Sequence, residues 1–387
     1  MHPAPNATKY LQKLRTPLLA SGLAIVLGLT ANKVCAFAPI GDDSAIFATG
    51  VLSAAENDNI FLSHSNAKSS GVVDFIPGLS YDYGQNGAAT SGAVQIYEDF
   101  QLFSDYSSLN NQLFNAVFWN KYEDASTKLN FDANFHQIDQ ADRDVHQNGF
   151  LVDRNTYHLD GSGEERIDEK SSVSAGIIFD DTDYKASGYT DLKTTSIPVN
   201  YYLSVEPKLD FSTGVRYRIN TLAGGNDSRD VYANVGFRGE FTPNLTGEID
   251  VGYNHQSIDN GPGTGGLGAD ASLTYAYSPK TNVTAGLTDD FGYGSDGSPF
   301  RFISGSLGVN SALDDQWAVD ATGTYGRYSY LTRSQVDDFY TLQAGVTYIF
   351  SLNLKFRAGY TFYKDESSVA AGSFTNNIFS VTASANF

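Results

Sequence analysis

One pattern governs most of this chain: apolar and polar residues alternate with period two. From Lys128 to His136 the odd positions hold Leu129, Phe131, Ala133 and Phe135, and the even ones hold Lys128, Asn130, Asp132, Asn134 and His136. The same alternation runs through residues 209–219, 231–237, 245–253, 271–277, 317–321, 340–348 and 354–362. Successive side chains of a strand point to opposite faces, so each segment reads as a strand with one apolar and one wet face. No long stretch with helical period occurs beyond the N-terminal region.

The connections are also ordered. Pro207, Pro243, Pro279, Asp315 and Ser351 mark short turns spaced by 36 residues. Between them lie longer connections rich in Gly, Asp, Asn and Ser, at 221–229, 257–268, 292–299 and 364–376. One period is a hairpin of two strands of about 10–11 residues, the length of a membrane-crossing β-strand. A propeller blade of about 40–50 residues would hold four strands of roughly half that length. A sandwich would show turn signals about every 8–12 residues without the alternation of long and short. The expected fold is therefore all-β: a transmembrane, antiparallel, up-and-down β-barrel of about eighteen strands, with short periplasmic turns and longer extracellular loops. If the weakly patterned region Thr156 to Gly163 is loop, the count falls to about sixteen. Pro77 and Pro198 lie inside strands and point to a bulge or a strand end.

The faces decide the solvent. In water, such a barrel would expose an apolar surface far beyond the few hundred Å² that soluble proteins tolerate. In lipid the same face is at home, and closure satisfies the backbone hydrogen bonds. Tyr81, Tyr83, Tyr217, Tyr253, Tyr277, Tyr325, Tyr348 and Tyr360 lie toward strand ends, as interfacial girdles do. The chain carries 44 acidic against 25 basic side chains, a formal net charge of -19. That argues against a nucleic-acid partner, which needs a basic face.

The first residues read as an address. Lys9, Lys13 and Arg15 precede the short apolar run from Leu18 to Ala31, and Val34, Cys35 and Ala36 offer small residues for cleavage. The run is shorter than the roughly 18 residues that a spanning helix needs. Residues 1–36 are thus expected to be a removed signal peptide and 37–387 a single outer-membrane barrel domain, with both termini periplasmic. Four bases and no acid leave with the signal, so the charge of -19 becomes -23, and the only cysteine leaves too. At the other end Phe387 closes an alternating strand behind Val381, Ala383 and Ala385. A terminal Phe in that setting looks like the signal read by the barrel assembly machinery, although Ala385 stands where an aromatic is more usual.

Two segments carry a resemblance. Glu56-Asn57-Asp58-Asn59-Ile60-Phe61 and Asp74-Phe75-Ile76-Pro77-Gly78-Leu79-Ser80-Tyr81 resemble the start of a β-barrel porin family often encoded beside bacterial exopolysaccharide export genes. The later hairpins, with Thr-Pro-Asn and Ser-Pro-Lys turns, are similar to that family along the rest of the chain. The resemblance implies an outer-membrane barrel of unspecified substrate and carries over no catalytic residue. It brings in exopolysaccharide or its export complex as a partner, beside outer-membrane lipid and lipopolysaccharide.

An open barrel of this size encloses water. Face parity then nominates lumen-lining residues: Lys128, Asp132, His136, Asp210, Arg216, Arg218, Arg238, Glu240, Glu248, Asp250, Asp270, Asp320, Lys355 and Arg357. Bases on one arc facing acids on another would make a transverse field that sorts solutes; charges that merely wet the wall are the plainer alternative. The acidic connections could hold divalent cations that bridge lipopolysaccharide, but no twelve-residue calcium-loop spacing occurs. The six histidines form no His-Glu-x-x-His pattern, and there is no Gly-x-Ser-x-Gly elbow, so neither catalysis, a cofactor nor a metal is expected. The leading reading is a passive porin-like channel for polar solutes. A non-conducting structural or assembly barrel is the alternative, and a lipid-acting barrel hydrolase stands third.

Overall fold

The computed structural model describes residues 37–84, 87–144 and 150–387. The expected signal segment, with Cys35, lies outside the described residues. The strands are β1 (Ala38–Ile40), β2 (Ser44–Asn57), β3 (Ser70–Tyr83), β4 (Thr90–Phe103), β5 (Asn111–Glu123) and β6 (Thr127–Gln140). They continue with β7 (Val152–Arg166), β8 (Ser171–Tyr184), β9 (Leu192–Glu206), β10 (Leu209–Leu222), β11 (Ser228–Thr242), β12 (Leu245–Ile258) and β13 (Thr264–Ser278). The last are β14 (Thr281–Tyr293), β15 (Pro299–Ala312), β16 (Trp317–Tyr330), β17 (Val336–Ile349), β18 (Leu354–Ser367) and β19 (Phe374–Asn386).

From β2 to β19 each strand pairs antiparallel with the next, and β19 returns to β2. The result is a closed, up-and-down barrel of eighteen strands. The region around Thr156 is β7, paired along its length with β6 and β8, so the sixteen-strand alternative is set aside. At the seam, the ladder from Ile378–Asn57 to Asn386–Thr49 continues through Phe387, whose N–H and C=O bond Ala48 at 2.9 and 2.7 Å. The short β1 then takes the next stretch of β2, pairing Ala38 with Ile46.

The strands from β2 to β19 run 13–15 residues, longer than the sequence pattern predicts. The loops are correspondingly shorter: of the expected loop 257–268, only 259–263 lies between β12 and β13. The physical reason is visible on the outward face beyond the lipid band. There the ladder continues with both faces wet, so alternation fades while the hydrogen bonds persist. Arg229–Asp259 (3.0 Å), Arg301–Asp289 (2.5 Å) and Arg327–Asp338 (2.7 Å) lie on that collar. Pro77 and Pro198 also differ from expectation. Both sit mid-strand, where one neighbouring ladder skips two successive residue pairs without a change of register, because proline lacks the donor.

Outside, Leu52, Val199, Val215, Val251, Leu307 and Leu342 form an exposed apolar band. Aromatic pairs bound it: Trp317 with Tyr348 (centroids 4.8 Å apart) toward the short turns, and Tyr325 with Tyr340 (5.2 Å) toward the loops. The eight steps from Trp317 to Tyr325 rise about 27 Å along a strand, or roughly 20 Å once tilted, close to the apolar height of a membrane barrel. No helix is long and apolar enough to cross a membrane among the described residues. At the turn end, Gly239 (φ +124°) faces Gly247 (φ +147°) in register, and a Cβ on either would meet a backbone oxygen at 2.0 Å. Only glycine fits this tightly coiled rim, which aims the neighbouring Arg238 and Glu248 inward.

Candidate functional site: the barrel lumen

The even positions of β6 to β14 point inward and build a polar bay along one arc. Asp132 and His136 come from β6, His158 and Asp160 from β7, Arg216 from β10, Glu248 and Asp250 from β12, and Asp270 from β13; together they line a cavity of about 390 Å³. A second cavity of about 730 Å³ opens at the turn end, with Lys128, Glu164, Asp210, Arg238 and Glu248 in its wall. His136 Nδ1 lies 2.8 Å from Asn115 Oδ1, and His158 Nδ1 lies 2.7 Å from Asp180 Oδ1.

The arginines are pinned to the wall. Arg218 Nε donates to Asp230 (2.6 Å), its Nη atoms donate to Asp290 (3.0 and 3.1 Å), and Nη2 also reaches the Phe291 carbonyl (3.0 Å). Arg216 donates to the same Asp290 at 3.0 Å, and Asn254 adds a fourth donor to it at 2.7 Å. Arg238 forks onto Glu164 (2.6 and 2.9 Å), contacts Asp210 at 3.2 Å and lies 3.2 Å over the Tyr202 ring. The fork geometry suits paired acceptors and fixes orientation as well as charge. These bases do not confront an acidic arc across the lumen: their carboxylates sit on the same arc, a few strands away.

The remaining nominees fall elsewhere. Arg357 and Asp320, on β18 and β16, form a two-point pair (2.5 and 2.9 Å) on the far arc, with Lys355 nearer the turn end. Glu240 sits at the turn-side rim, bonded by Lys208 at 2.7 Å.

What sequence reading missed is the other half of the lumen. Phe300 and Phe302 of β15, Tyr328 and Tyr330 of β16 and Phe339 of β17 form a buried cluster, with Tyr363 of β18 packed against it. Their inward aim was present in the register: Phe300 and Phe302 share the parity of Ser304 and Ser306, whose strand alternates against Ile303 and Leu307. Into this cluster reaches the connection between β6 and β7. The Arg143 guanidinium stacks 3.5 Å over the Tyr328 ring and pairs with Asp144. Asp144 accepts from the Tyr330 hydroxyl (3.2 Å) and from the Ser295 N–H (3.1 Å). The Ser295 hydroxyl donates to Asp142 at 2.6 Å. Burial works against the charge on Arg143, but Asp144 and the tyrosine hydroxyls around it more than offset this and hold its pKa well above the ordinary value. Asp142, Arg143 and Asp144 are thereby latched onto the aromatic cluster at the loop end of the barrel. Among the described residues no group of three His, Cys, Asp or Glu is placed to hold a metal ion.

Residues 212–387 match the family model described as "Putative beta-barrel porin 2". Among solved structures, the chain is similar to the outer-membrane protein OpdK of Pseudomonas aeruginosa (12% identity, TM-score 0.47, covering 88% of this chain and 99% of that one). It is also similar to OccAB4 of Acinetobacter baumannii (10% identity, TM-score 0.48, 89% and 99%). A third is OccK2 of Pseudomonas aeruginosa in complex with glucuronate (9% identity, TM-score 0.48, 89% and 98%). No match to a curated protein was found.

Proposed function

We propose that this chain is a passive channel of the bacterial outer membrane that admits polar solutes along the bay of β6–β13. The observation that carries the reading is the pair of polar cavities, about 730 and 390 Å³, on one arc inside a closed barrel with an apolar outer band. A wet, charged interior in a lipid-facing barrel is what a diffusion pathway requires. The porin model matched by residues 212–387 supports the same class. The test is a planar-bilayer recording of the refolded protein: stepwise currents are expected, and a folded barrel that stays silent overturns the reading.

In this proposal residues 1–36 are cleaved, the termini and short turns face the periplasm, and the loops face outward among lipopolysaccharide. Phe387 presents the final strand to the assembly machinery; deleting it is expected to lower the yield of heat-modifiable barrel, and an unchanged yield removes that role. The link to exopolysaccharide export rests on the resemblance of residues 56–61 and 74–81. Reduced polymer export in a deletion strain supports it, and unaltered export counts against it. The latch of Arg143 and Asp144 onto the aromatic cluster favours a second reading, a non-conducting envelope barrel, which the same recording decides.

A further inference from the structure

The lumen holds two classes of charge that face parity alone cannot separate. Its arginines are neutralised in place: Arg216, Arg218, Arg238 and Arg357 each have a carboxylate oxygen within hydrogen-bond reach, on Asp290, Asp230, Glu164 and Asp320 respectively. Lys128 pairs with Glu123 at 3.6 Å, and Arg154 with Asp142 at 3.7 Å. The carboxylates are not all used in return. Among the described residues, Glu248, Asp250 and Asp270 form no ion pair with a base within 4 Å. All three line the 390 Å³ cavity, and Asp250 stands directly opposite Asp270 in the β12–β13 register. Ser212 donates to Asp250 (3.1 Å), Thr288 donates to Asp270 (3.2 Å), and Glu248 and Asp250 share a hydrogen bond, so one proton sits within that pair. The charge that remains on the cluster has no base beside it and is screened by water and mobile cations.

We infer that the pathway conducts cations in preference to anions, with Glu248, Asp250 and Asp270 as its selectivity-determining residues. The inference rests on the channel reading above. The tied arginines keep in reserve only the buried Nε–H groups of Arg216 and Arg357, which a carboxylate or phosphate solute does not reach, whereas the acids that no base neutralises leave a net negative potential along the wall. A passage narrower than the Debye length, about 10 Å at 0.1 M salt, lies wholly inside that potential. Low-dielectric walls focus the field and raise the local concentration of the opposite ion. Inorganic cations and organic ammonium or amidinium solutes are the charged species the bay suits.

Reversal potentials under a tenfold KCl gradient test this. The unmodified protein is expected to pass potassium over chloride by about fivefold or more, the scale of rate effects such fields produce. In Glu248→Gln/Asp250→Asn/Asp270→Asn the ratio is expected to fall at least about twofold, with the heat-modifiable form retained. Conductance with a ratio at or below one overturns the inference while leaving the channel reading standing. A normal ratio that the triple variant does not move overturns the assignment to these residues. A folded barrel without conductance overturns the channel reading and this inference with it. If the triple variant does not fold, the single variant Asp250→Asn and the unmodified protein's own reversal potential carry the decision.

Discussion

The two arcs of this lumen obey the same parity rule and contain opposite things. On β6–β13 the inward residues are chiefly carboxylates, amides, histidines and paired arginines around open volume, with Ile178, Tyr202 and Tyr232 among them. On β15–β18 they include Phe300, Phe302, Tyr328 and Phe339, each at most 1% exposed. One arc is a wet wall; the other packs like the core of a soluble domain, with rings at close, tilted contacts such as Phe302 to Tyr328 at 4.7 Å. The difference shows that "inward" on a membrane barrel is a direction and not an environment. Where a loop descends onto the wall, the inward face becomes core and alternation of apolar with polar gives way to apolar on both sides.

The largest expected effect lies on the wet arc. Arg218 is 2% exposed and satisfies Asp230 and Asp290 together. Arg218→Ala is expected to cost about 3–5 kcal/mol, because it strands two buried carboxylates instead of merely losing a contact. Urea unfolding in detergent micelles measures this. Restoring part of the loss with Arg218→Ala/Asp290→Asn would identify the stranded charge as the cause, and equal loss in both variants would refute it. Next comes the packed arc, where Phe302→Ala is expected to cost about 3 kcal/mol through lost burial and a cavity. A loss below about 1 kcal/mol there would mean the cluster is not a core at all.

These two cases also mark what the sequence could reveal. Period two and the 36-residue turn spacing made the strand order and closure legible, since a repeated two-faced strand has few other places to go. Inward and outward faces followed, and Arg216, Arg218, Glu248 and Asp250 were placed on the inner one. What remained hidden was partnership across several strands. Arg218 and Asp290 lie 72 positions apart, on β10 and β14, and only the curvature of the wall brings them to 3.0 Å. The latch was hidden for a similar reason: Arg143 and Asp144 lie in an acidic connection that reads as solvated, and Tyr328 is 185 positions further on. Strand ends were misjudged because hydrogen bonding outlasts amphipathicity once both faces are in water.

The latch gives a smaller effect that sharpens the contrast between the arcs. Arg143→Ala removes a cation stacked on Tyr328 and the partner of Asp144, and is expected to cost about 1–2 kcal/mol. Its larger signature is functional: a released loop should raise single-channel conductance or add open-state noise. An unchanged current trace would mean that the pathway along β6–β13 bypasses the latch.

The smallest effect is the most discriminating. Asn234 lines the 390 Å³ cavity at half-burial, on the same inward parity as Tyr232 and Arg238. If this arc is a wet wall, Asn234→Ala exchanges a solvated amide for a methyl beside water, and stability should shift by less than about 0.5 kcal/mol. Its hydrogen bonds to water are recovered by water itself, so no donor or acceptor is left stranded. If the arc were instead packed, the same change would open a void among polar neighbours and cost as much as a core truncation. A loss approaching that of Phe302→Ala would therefore erase the distinction between the two arcs, and with it the reason to place the solute pathway on β6–β13.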